Sequence, residues 1–390
     1  MYRNYIVFAS RDGMGEKSEG MLDFLRKAVV NYIVKISHSR RTLLIMNTKK
    51  ILSALPERLL PWFAACARDL PWRRDREPYH VWVSEIMLQQ TRVEAVKGYY
   101  DHFLRELPDI ASLASAEPER LVKLWEGLGY YSRVRSLQTA AQQIIERHGG
   151  VFPVKYEDIR ALKGIGDYTA GAIASICFGL PTPAVDGNVL RVVTRLTGDG
   201  RCVSEEATKK AVRAELAEIY PIGKCGEFTQ ALMELGATVC LPNGAPDCEA
   251  CPMAALCRSR DGDWKRLPVK GEKKARRKEK LTVFLLHCDG RTAVRKRGER
   301  GLLAGLWEFP NLPGHLTPEA AVAQAEYWGA KPRELEKSLT RTHIFTHVEW
   351  DMICYCLRCS EMPPEFVWAE DAELEHEIAL PTAFRMFRDV

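Results

Sequence analysis

Apolar residues recur at every third or fourth position over much of the chain, from about Ile51 to Arg260. This spacing is typical of helices that bury one face, and proline and glycine separate the apolar segments. One such series is Ile110, Leu113, Leu121, Leu124 and Leu128. The alternation of a strand is not found in this part, so we predict that it is all-α.

The pattern changes after a basic stretch at 265–280, which holds nine basic and two acidic residues. Its scarcity of apolar positions predicts a linker, which could also lie along a phosphate backbone. Beyond it, apolar runs at 281–286, 291–296 and 350–357 predict strands, and 318–328 predicts a helix. This mixture is typical of a small α+β domain.

The chain is therefore predicted to be multidomain. Residues 1–47 form an extension without a clear pattern, in which Met46 is an alternative start, and we assign it no role. An all-α domain at 48–264 is followed by the linker at 265–280 and by the α+β domain at 281–390.

Composition places the chain among globular proteins, with 46% hydrophobic and 27% charged residues. The formal charge of +5 is compatible with nucleic acid but does not require it. No apolar run reaches the roughly 18 residues that span a bilayer, and the apolar patch at 6–9 is too short for a secretory signal. We expect a cytoplasmic protein that does not enter the membrane.

Twelve cysteines in such a protein indicate ligation rather than disulfides. One group has the spacing C-x7-C-x2-C-x5-C, which lets all four thiolates reach one centre. A [4Fe–4S] cluster and a tetrahedral zinc ion both fit, and the spacing alone does not choose between them. The four ligands are Cys240, Cys248, Cys251 and Cys257.

Two acidic residues stand in contexts that indicate acid–base chemistry. Glu85 has apolar neighbours, so its carboxyl is expected to be desolvated and to have a raised pKa. Asp186 lies just before a helix predicted to begin near Asn188, where an aspartate can also cap the helix. Hydrolysis of a glycosidic bond uses two carboxyl groups in different environments, one acid and one anion.

A glycine turn precedes Asp186 by about twenty residues. Gly164-Ile165-Gly166 is predicted to join two helices, and its N–H groups with the following helix N-terminus could bind a phosphate. A structural turn is the alternative interpretation of so short a motif.

These motifs together carry a resemblance. The segments VWVSEIMLQQT, GLGYYSR, GIGDYTAGAI and PAVDGNV are similar to those of MutY-type adenine DNA glycosylases. That family lies within the helix-hairpin-helix glycosylases that carry an iron–sulfur loop, and the resemblance covers about 52–260. It implies a helix-hairpin-helix domain with a [4Fe–4S] cluster held by the loop at 240–257.

The resemblance also implies an activity. The enzyme would flip out adenine mispaired with 8-oxoguanine or guanine in double-stranded DNA and hydrolyse its N-glycosidic bond, leaving an abasic site. Glu85 would protonate adenine N7, and Asp186 would stabilise the sugar cation. Tyr168 and Asn188 would position the sugar, the water and the carboxylates. The expected DNA contacts are Gln90 and Tyr130, which would wedge into the base stack, and Gly164, Ile165, Gly166 and Arg73.

One position separates this family from a neighbour. Endonuclease III-type enzymes carry a lysine where Tyr168 stands, and that amine forms a Schiff base that leads to strand cleavage. We therefore expect a monofunctional glycosylase. An endonuclease III-type lyase acting on oxidised pyrimidines and a non-catalytic, cluster-bearing DNA-binding protein are the alternatives. Lys163 departs from the family, which has proline there.

The C-terminal part, at 295–310, resembles the Nudix-like domains appended to adenine glycosylases. Its helix offers only Glu319 and Glu326, without the paired glutamates that hold Mg²⁺ in Nudix hydrolases, so we expect a recognition module. Phe345, Thr346 and His347 resemble the loop that recognises 8-oxoguanine, with threonine in place of the usual serine. We expect the protein to act as a monomer.

Overall fold

The computed structural model describes residues 46–272 and 275–388. The predicted extension at 1–47 lies almost wholly outside these ranges. Among the described residues, no helix is both long enough and apolar enough to cross a membrane.

The first described part of the chain is helical, as predicted. Residues 46–53 are helical, and eleven further α-helices follow before the sheet domain. They are α1 (Leu55–Cys66), α2 (Pro78–Leu88), α3 (Val93–Glu106), α4 (Ile110–Ser115), α5 (Pro118–Leu124), α6 (Ser132–His148), α7 (Tyr156–Ala161), α8 (Asp167–Phe178), α9 (Gly187–Thr197), α10 (Glu206–Ala217) and α11 (Cys225–Thr238).

These helices enclose two hydrophobic cores. The first is built mainly from α2 to α8, with Trp82, Phe103 and Trp125 fully buried. The second joins α1 to α9, α10 and α11, around Leu55 and Phe228. A helix that is apolar on all sides is buried on all sides, and this is the case for most of α2 and α8.

The sheet domain contains seven strands and three helices. They are β1 (Arg277–Cys288), β2 (Arg291–Lys296), β3 (Trp307–Glu308), β4 (Asn311–Pro313), α12 (Pro318–Tyr327), β5 (Pro332–Ile344), β6 (Val348–Cys359), β7 (Val367–Glu370), α13 (Asp371–His376) and α14 (Thr382–Arg385). The order is β3-β2-β1-β6-β5, with β4 paired to β1 and β7 to β2. The central pair, β1 and β6, is parallel, and the other pairs are antiparallel.

Hydrophobic cores cover both faces of this sheet, which explains why 281–286 is a continuous apolar run. The two largest differences from the sequence prediction concern long strands. Strand β1 begins at Arg277, so the last four residues of the predicted linker belong to the sheet. Strand β5 was not predicted, because it is an edge strand whose residues are mostly exposed and polar.

The two domains are in contact. Lys123 Nζ donates hydrogen bonds to the carbonyls of Leu374 (3.2 Å) and Ile378 (3.1 Å), and the N–H of Leu380 donates to Glu126 Oε1 at 2.8 Å. Leu306, from the sheet domain, is 1% exposed and belongs to the first helical core. The docked segment at 374–380 therefore fixes the sheet domain against α5.

Candidate active site

A cavity of about 570 Å³ opens at the junction of the two helical cores, and we call it the carboxylate cavity. Glu85 and Tyr168 reach it from α2 and α8, which belong to the first core. Asp186 and Asn188 reach it from the start of α9, which belongs to the second. The four predicted catalytic residues therefore line one cavity, although they are far apart in sequence.

Glu85 is 6% exposed and lies in the buried part of α2. Burial is the main cause that raises the pKa of Glu85 to about 7, and the charge of Asp186 adds to the rise. Tyr168 donates its hydroxyl to Glu85 Oε2 at 2.6 Å, which acts in the opposite direction. A carboxyl with this pKa is partly protonated at neutral pH and can give up its proton there.

Asp186 caps helix α9. Its Oδ1 accepts the N–H of Val189 at 2.7 Å, and its Oδ2 accepts the Asn188 side-chain amide at 2.9 Å. Burial raises the pKa of Asp186 above its ordinary value, while these hydrogen bonds oppose the rise. The carboxylate of Asp186 therefore caps helix α9 and lines the carboxylate cavity at the same time.

Arg191, one turn along α9, fixes this arrangement and was not identified from the sequence. Its Nη2 donates to Asn188 Oδ1 and to the carbonyl of Gly236, both at 2.8 Å. Its Nε donates to the carbonyl of Cys240, also at 2.8 Å. Asp186 is thus joined through Asn188 and Arg191 to the first cysteine of the quartet.

Glu234 is a second buried carboxylate that the sequence analysis missed, since helix α11 offers no motif around it. Burial alone would raise its pKa, but hydrogen bonds from Arg68 and Arg73 outweigh burial and lower the pKa of Glu234 to about 2. Arg73 is therefore committed to an internal ion pair at 2.8 Å. Arg73 also lines the carboxylate cavity, and its contact with DNA stays a prediction.

The glycine turn joins α7 and α8, as the motif indicated. Gly164 has φ +77°, and a Cβ there would lie 2.7 Å from Ser136 Cβ, so glycine is required on both counts. Ile165 is 3% exposed and its N–H already donates to the carbonyl of Leu162. The N–H of Ile165 is therefore not free to bind a phosphate at this turn.

A second cavity, of about 550 Å³, lies between the domains, and we call it the interdomain cavity. Phe345, Thr346 and His347 form the β5–β6 turn at its wall. Tyr130 faces them from the helical domain, with its hydroxyl 2.8 Å from Thr346 Oγ1. Gln90 lines both this cavity and the carboxylate cavity, so it stands between the two.

The cysteine quartet follows helix α11. Cys240, Cys248, Cys251 and Cys257 line one small pocket beneath α9. Arg195 Nη1 lies 3.4 Å from Cys240 Sγ. Among the described residues, no three His, Cys, Asp or Glu side chains approach closely enough to share a single metal ion.

Comparison with known families identifies both domains. Residues 83–221 match the HhH-GPD superfamily of base excision DNA repair proteins, and residues 282–389 match the NUDIX domain. The helical domain is also similar to the solved structure of a thermostable thymine-DNA glycosylase. The TM-score is 0.50 and the identity 29%, over 55% of this chain and 98% of that one.

Curated relatives extend over most of the chain. Adenine DNA glycosylase of Homo sapiens is 34% identical over 84% of this chain and 72% of its own length. Adenine DNA glycosylase of Schizosaccharomyces pombe is 31% identical over 82% of this chain and 86% of its own length. The resemblance seen in the motifs is confirmed: the chain belongs to the MutY family of adenine DNA glycosylases, which are DNA N-glycosylases and hence hydrolases.

Proposed function

We propose that this protein removes adenine from A:8-oxoguanine and A:guanine mispairs in duplex DNA and leaves an abasic site. The observation that carries the proposal is the pair of carboxyl groups in the carboxylate cavity. Glu85 has a pKa of about 7, whereas Asp186 is held by an N–H and an amide that favour its ionised form. Hydrolysis through a sugar cation requires this division into an acid and an anion.

In the proposed reaction Glu85 gives its proton to N7 of the flipped adenine. The bond between the base and the sugar C1′ then breaks with its electron pair going to the base, which leaves positive charge on the sugar. Asp186 stabilises that charge, and water adds to C1′ and gives its proton to the Glu85 carboxylate, which restores the acid. Tyr168 and Asn188 hold the two carboxyl groups in place through the hydrogen bonds described above.

Tyr168 also supports a glycosylase without lyase activity. Its hydroxyl is bound to Glu85, and no amine occupies that position to attack the sugar. Borohydride reduction in the presence of substrate duplex should therefore trap no covalent complex. A trapped complex would favour the endonuclease III-type alternative.

We propose further that the interdomain cavity receives 8-oxoguanine. Gln90 and Tyr130 enter the stack where adenine leaves, and Thr346 offers a hydroxyl to the lesion. The position of Gln90 between the two cavities supports this arrangement, since the adenine site and the lesion site must lie on either side of the opened pair.

For the cysteine quartet we propose a [4Fe–4S] cluster. The four thiols line one pocket, which suits the four thiolate ligands of such a cluster. The cluster would hold the 240–257 loop in shape near the DNA. Iron and sulfide analysis of the purified protein tests this assignment, and stoichiometric zinc would contradict it.

The experiment that tests the proposed function is single-turnover release of adenine from a duplex with one A:8-oxoguanine pair, beside a matched A:T duplex. Release from the first alone supports the substrate and the reaction together. Glu85→Gln is the control variant, since an amide has no proton of suitable acidity to give. Release by that variant at the parent rate would overturn the role of Glu85.

A further inference from the structure

Arg133 lies directly behind the two residues that we propose to enter the base stack. Its Nη1 donates to the carbonyls of Ile86 (2.6 Å), Met87 (3.1 Å) and Gln89 (2.7 Å). Its Nη2 donates to the carbonyls of Leu128 and Gly129, both at 3.1 Å. One guanidinium therefore ties the end of α2, which leads into Gln90, to the loop that leads into Tyr130.

Both of those residues have a backbone conformation that L-amino acids rarely adopt. Gln90 has φ +60° and Tyr130 has φ +48°. Such conformations are strained and persist only where the surroundings fix them. Arg133 binds the carbonyl of the residue before each one, Gln89 and Gly129 respectively. It therefore restrains the backbone next to both strained residues.

The environment of Arg133 is unusual for a purely structural cation. Among the described residues no carboxylate pairs with it, and its Nε is buried without a partner. The guanidinium carbon lies over the rings of Trp125 (5.4 Å) and Tyr130 (5.5 Å). Burial lowers the pKa of Arg133 to about 10. An apolar residue would fill this space at less cost, so the cation needs another reason to be there.

Arginine suits the task because its planar fork can reach two sets of carbonyls at once. The last carbonyls of α2 lack partners within the helix and accept its donors, and the positive charge lies favourably at a helix C-terminus. A lysine ammonium is compact and cannot span both sets. The five bonds thus depend on the shape of the side chain as well as on its charge.

We propose that Arg133 is a positioning residue that holds Gln90 and Tyr130 together in the geometry that enters the base stack. The inference rests on the proposed function, in which these two residues form the wedge. Arg133 itself touches no substrate in this scheme. Its effect is on the opening of the base pair, upstream of the chemistry at the carboxylates.

The test compares Arg133→Lys with Val134→Ala, in the full-length, cluster-loaded protein. Val134 is fully buried on the same helix and contacts neither wedge segment through a hydrogen bond, so its truncation lowers stability alone. The probe is a duplex with an A:8-oxoguanine pair and 2-aminopurine beside the target adenine. Thermal melting, DNA binding by anisotropy, the 2-aminopurine fluorescence rise at saturation and single-turnover adenine release are all measured.

We expect Arg133→Lys to fold and to bind the duplex, yet to lose most of the fluorescence rise and about tenfold or more of the release rate. Val134→Ala, at a similar loss of melting temperature, keeps both. Retention of both signals by Arg133→Lys overturns the proposal. So does a loss that merely follows its melting temperature, or a failure to fold, since either assigns Arg133 to stability.

Failure of this inference is distinguishable from failure of the proposed function. A parent protein that releases no adenine would refute the function, while the fluorescence rise, which requires no bond cleavage, would still report on Arg133. If the parent protein releases adenine and the Arg133→Lys variant keeps both signals, the inference is refuted and the proposed function stands.

Discussion

At the scale of the residue, the carboxylate cavity holds two glutamates whose environments act in opposite directions. Glu85 faces a tyrosine hydroxyl in a buried setting and has its pKa raised to about 7. Glu234 is bound by two arginines and has its pKa lowered to about 2. The same side chain is thus an acid in one place and a permanent anion in the other.

This contrast predicts opposite effects of the same substitution on stability. The folded pKa of Glu85 lies above its unfolded value, so ionisation of Glu85 costs stability as the pH rises from about 4.5 to 7. Glu85→Gln should therefore stabilise the fold above pH 7, by about 3 kcal/mol at most, and change little near pH 4. Urea unfolding at pH 4.5 and pH 8 measures the difference.

Glu234→Gln is the matched comparison. Because the folded pKa of Glu234 is depressed, its contribution is present at neutral pH and is lost as the pH falls towards 2. The variant should be destabilised at pH 8, since it leaves the guanidinium groups of Arg68 and Arg73 without their anion. Equal effects of the two substitutions at pH 8 would contradict this account.

Tyr168 sets the working range of the acid. Its hydrogen bond lowers the pKa of Glu85, so Tyr168→Phe should raise that pKa further. Activity needs the protonated form, so the alkaline limb of the pH–rate profile should move to higher pH while the maximal rate falls. Tyr79→Phe, which loses a bond to the carbonyl of Leu107 outside the cavity, should leave the limb unmoved.

The sequence predicted some of these residues and missed others. The apolar neighbours of Glu85 predicted its desolvation, and the start of α9 placed Asp186, because both signals are local. Glu234, Arg191 and Arg133 escaped notice, since their partners lie far away along the chain. A side chain whose importance comes only from long-range contacts leaves no pattern in a single sequence.

At the scale of the element, the β5–β6 turn carries the residues proposed to recognise the lesion. Thr346 shares a hydrogen bond with Tyr130 across the interdomain cavity. The turn follows β5, an edge strand that pairs only with β6. Its position therefore depends on contacts at the tip.

Removing the hydroxyl group of Thr346 should reduce the preference for A:8-oxoguanine more than removing its methyl group. Thr346→Val keeps the shape but loses the bond to Tyr130, and we expect the preference for A:8-oxoguanine over A:guanine to fall by about tenfold, as for one lost hydrogen bond. Thr346→Ser keeps the hydroxyl and should retain the preference. The ratio of single-turnover rates on the two duplexes is the measurement. An unchanged ratio for the valine variant would remove Thr346 from recognition.

The elements themselves were predictable where their apolar pattern is strong. Strand β2 has the bounds expected from the sequence, and helix α12 differs from its prediction by a single residue. Arg277 to Lys280 were assigned to the linker because their charges suggest solvent, yet they pair with the first residues of β6. Backbone pairing across the sheet outweighed side-chain character there.

At the scale of the whole molecule, the interdomain contacts decide whether the two cavities work together. Lys123 is largely buried and holds the carbonyls of Leu374 and Ile378 as well as Glu126. Loss of this anchor should weaken the docking of the sheet domain and leave its own fold intact. Recognition of the lesion would then be less well transmitted to the carboxylate cavity.

Lys123→Met should therefore reduce the preference for A:8-oxoguanine over A:guanine while sparing the rate on A:guanine. Arg120→Met is the control, because Arg120 lies on the same helix but pairs with Glu106 inside the helical domain. Rates on both duplexes would be measured, with proteolysis of the region joining the domains as a report of docking. Equal loss of rate on both duplexes would point to a fault in the helical domain itself.

The parallel pairing of β1 with β6 has a consequence for the order in which the chain acquires its shape. Residues 277–288 meet their central partner only when 348–359 exists, and Phe384 and Phe387 complete the core that covers one face. Synthesis at about 5–20 residues per second gives the helical domain several seconds alone. A nascent chain thus acquires the carboxylate cavity before it acquires the domain that we propose to recognise the opposite base.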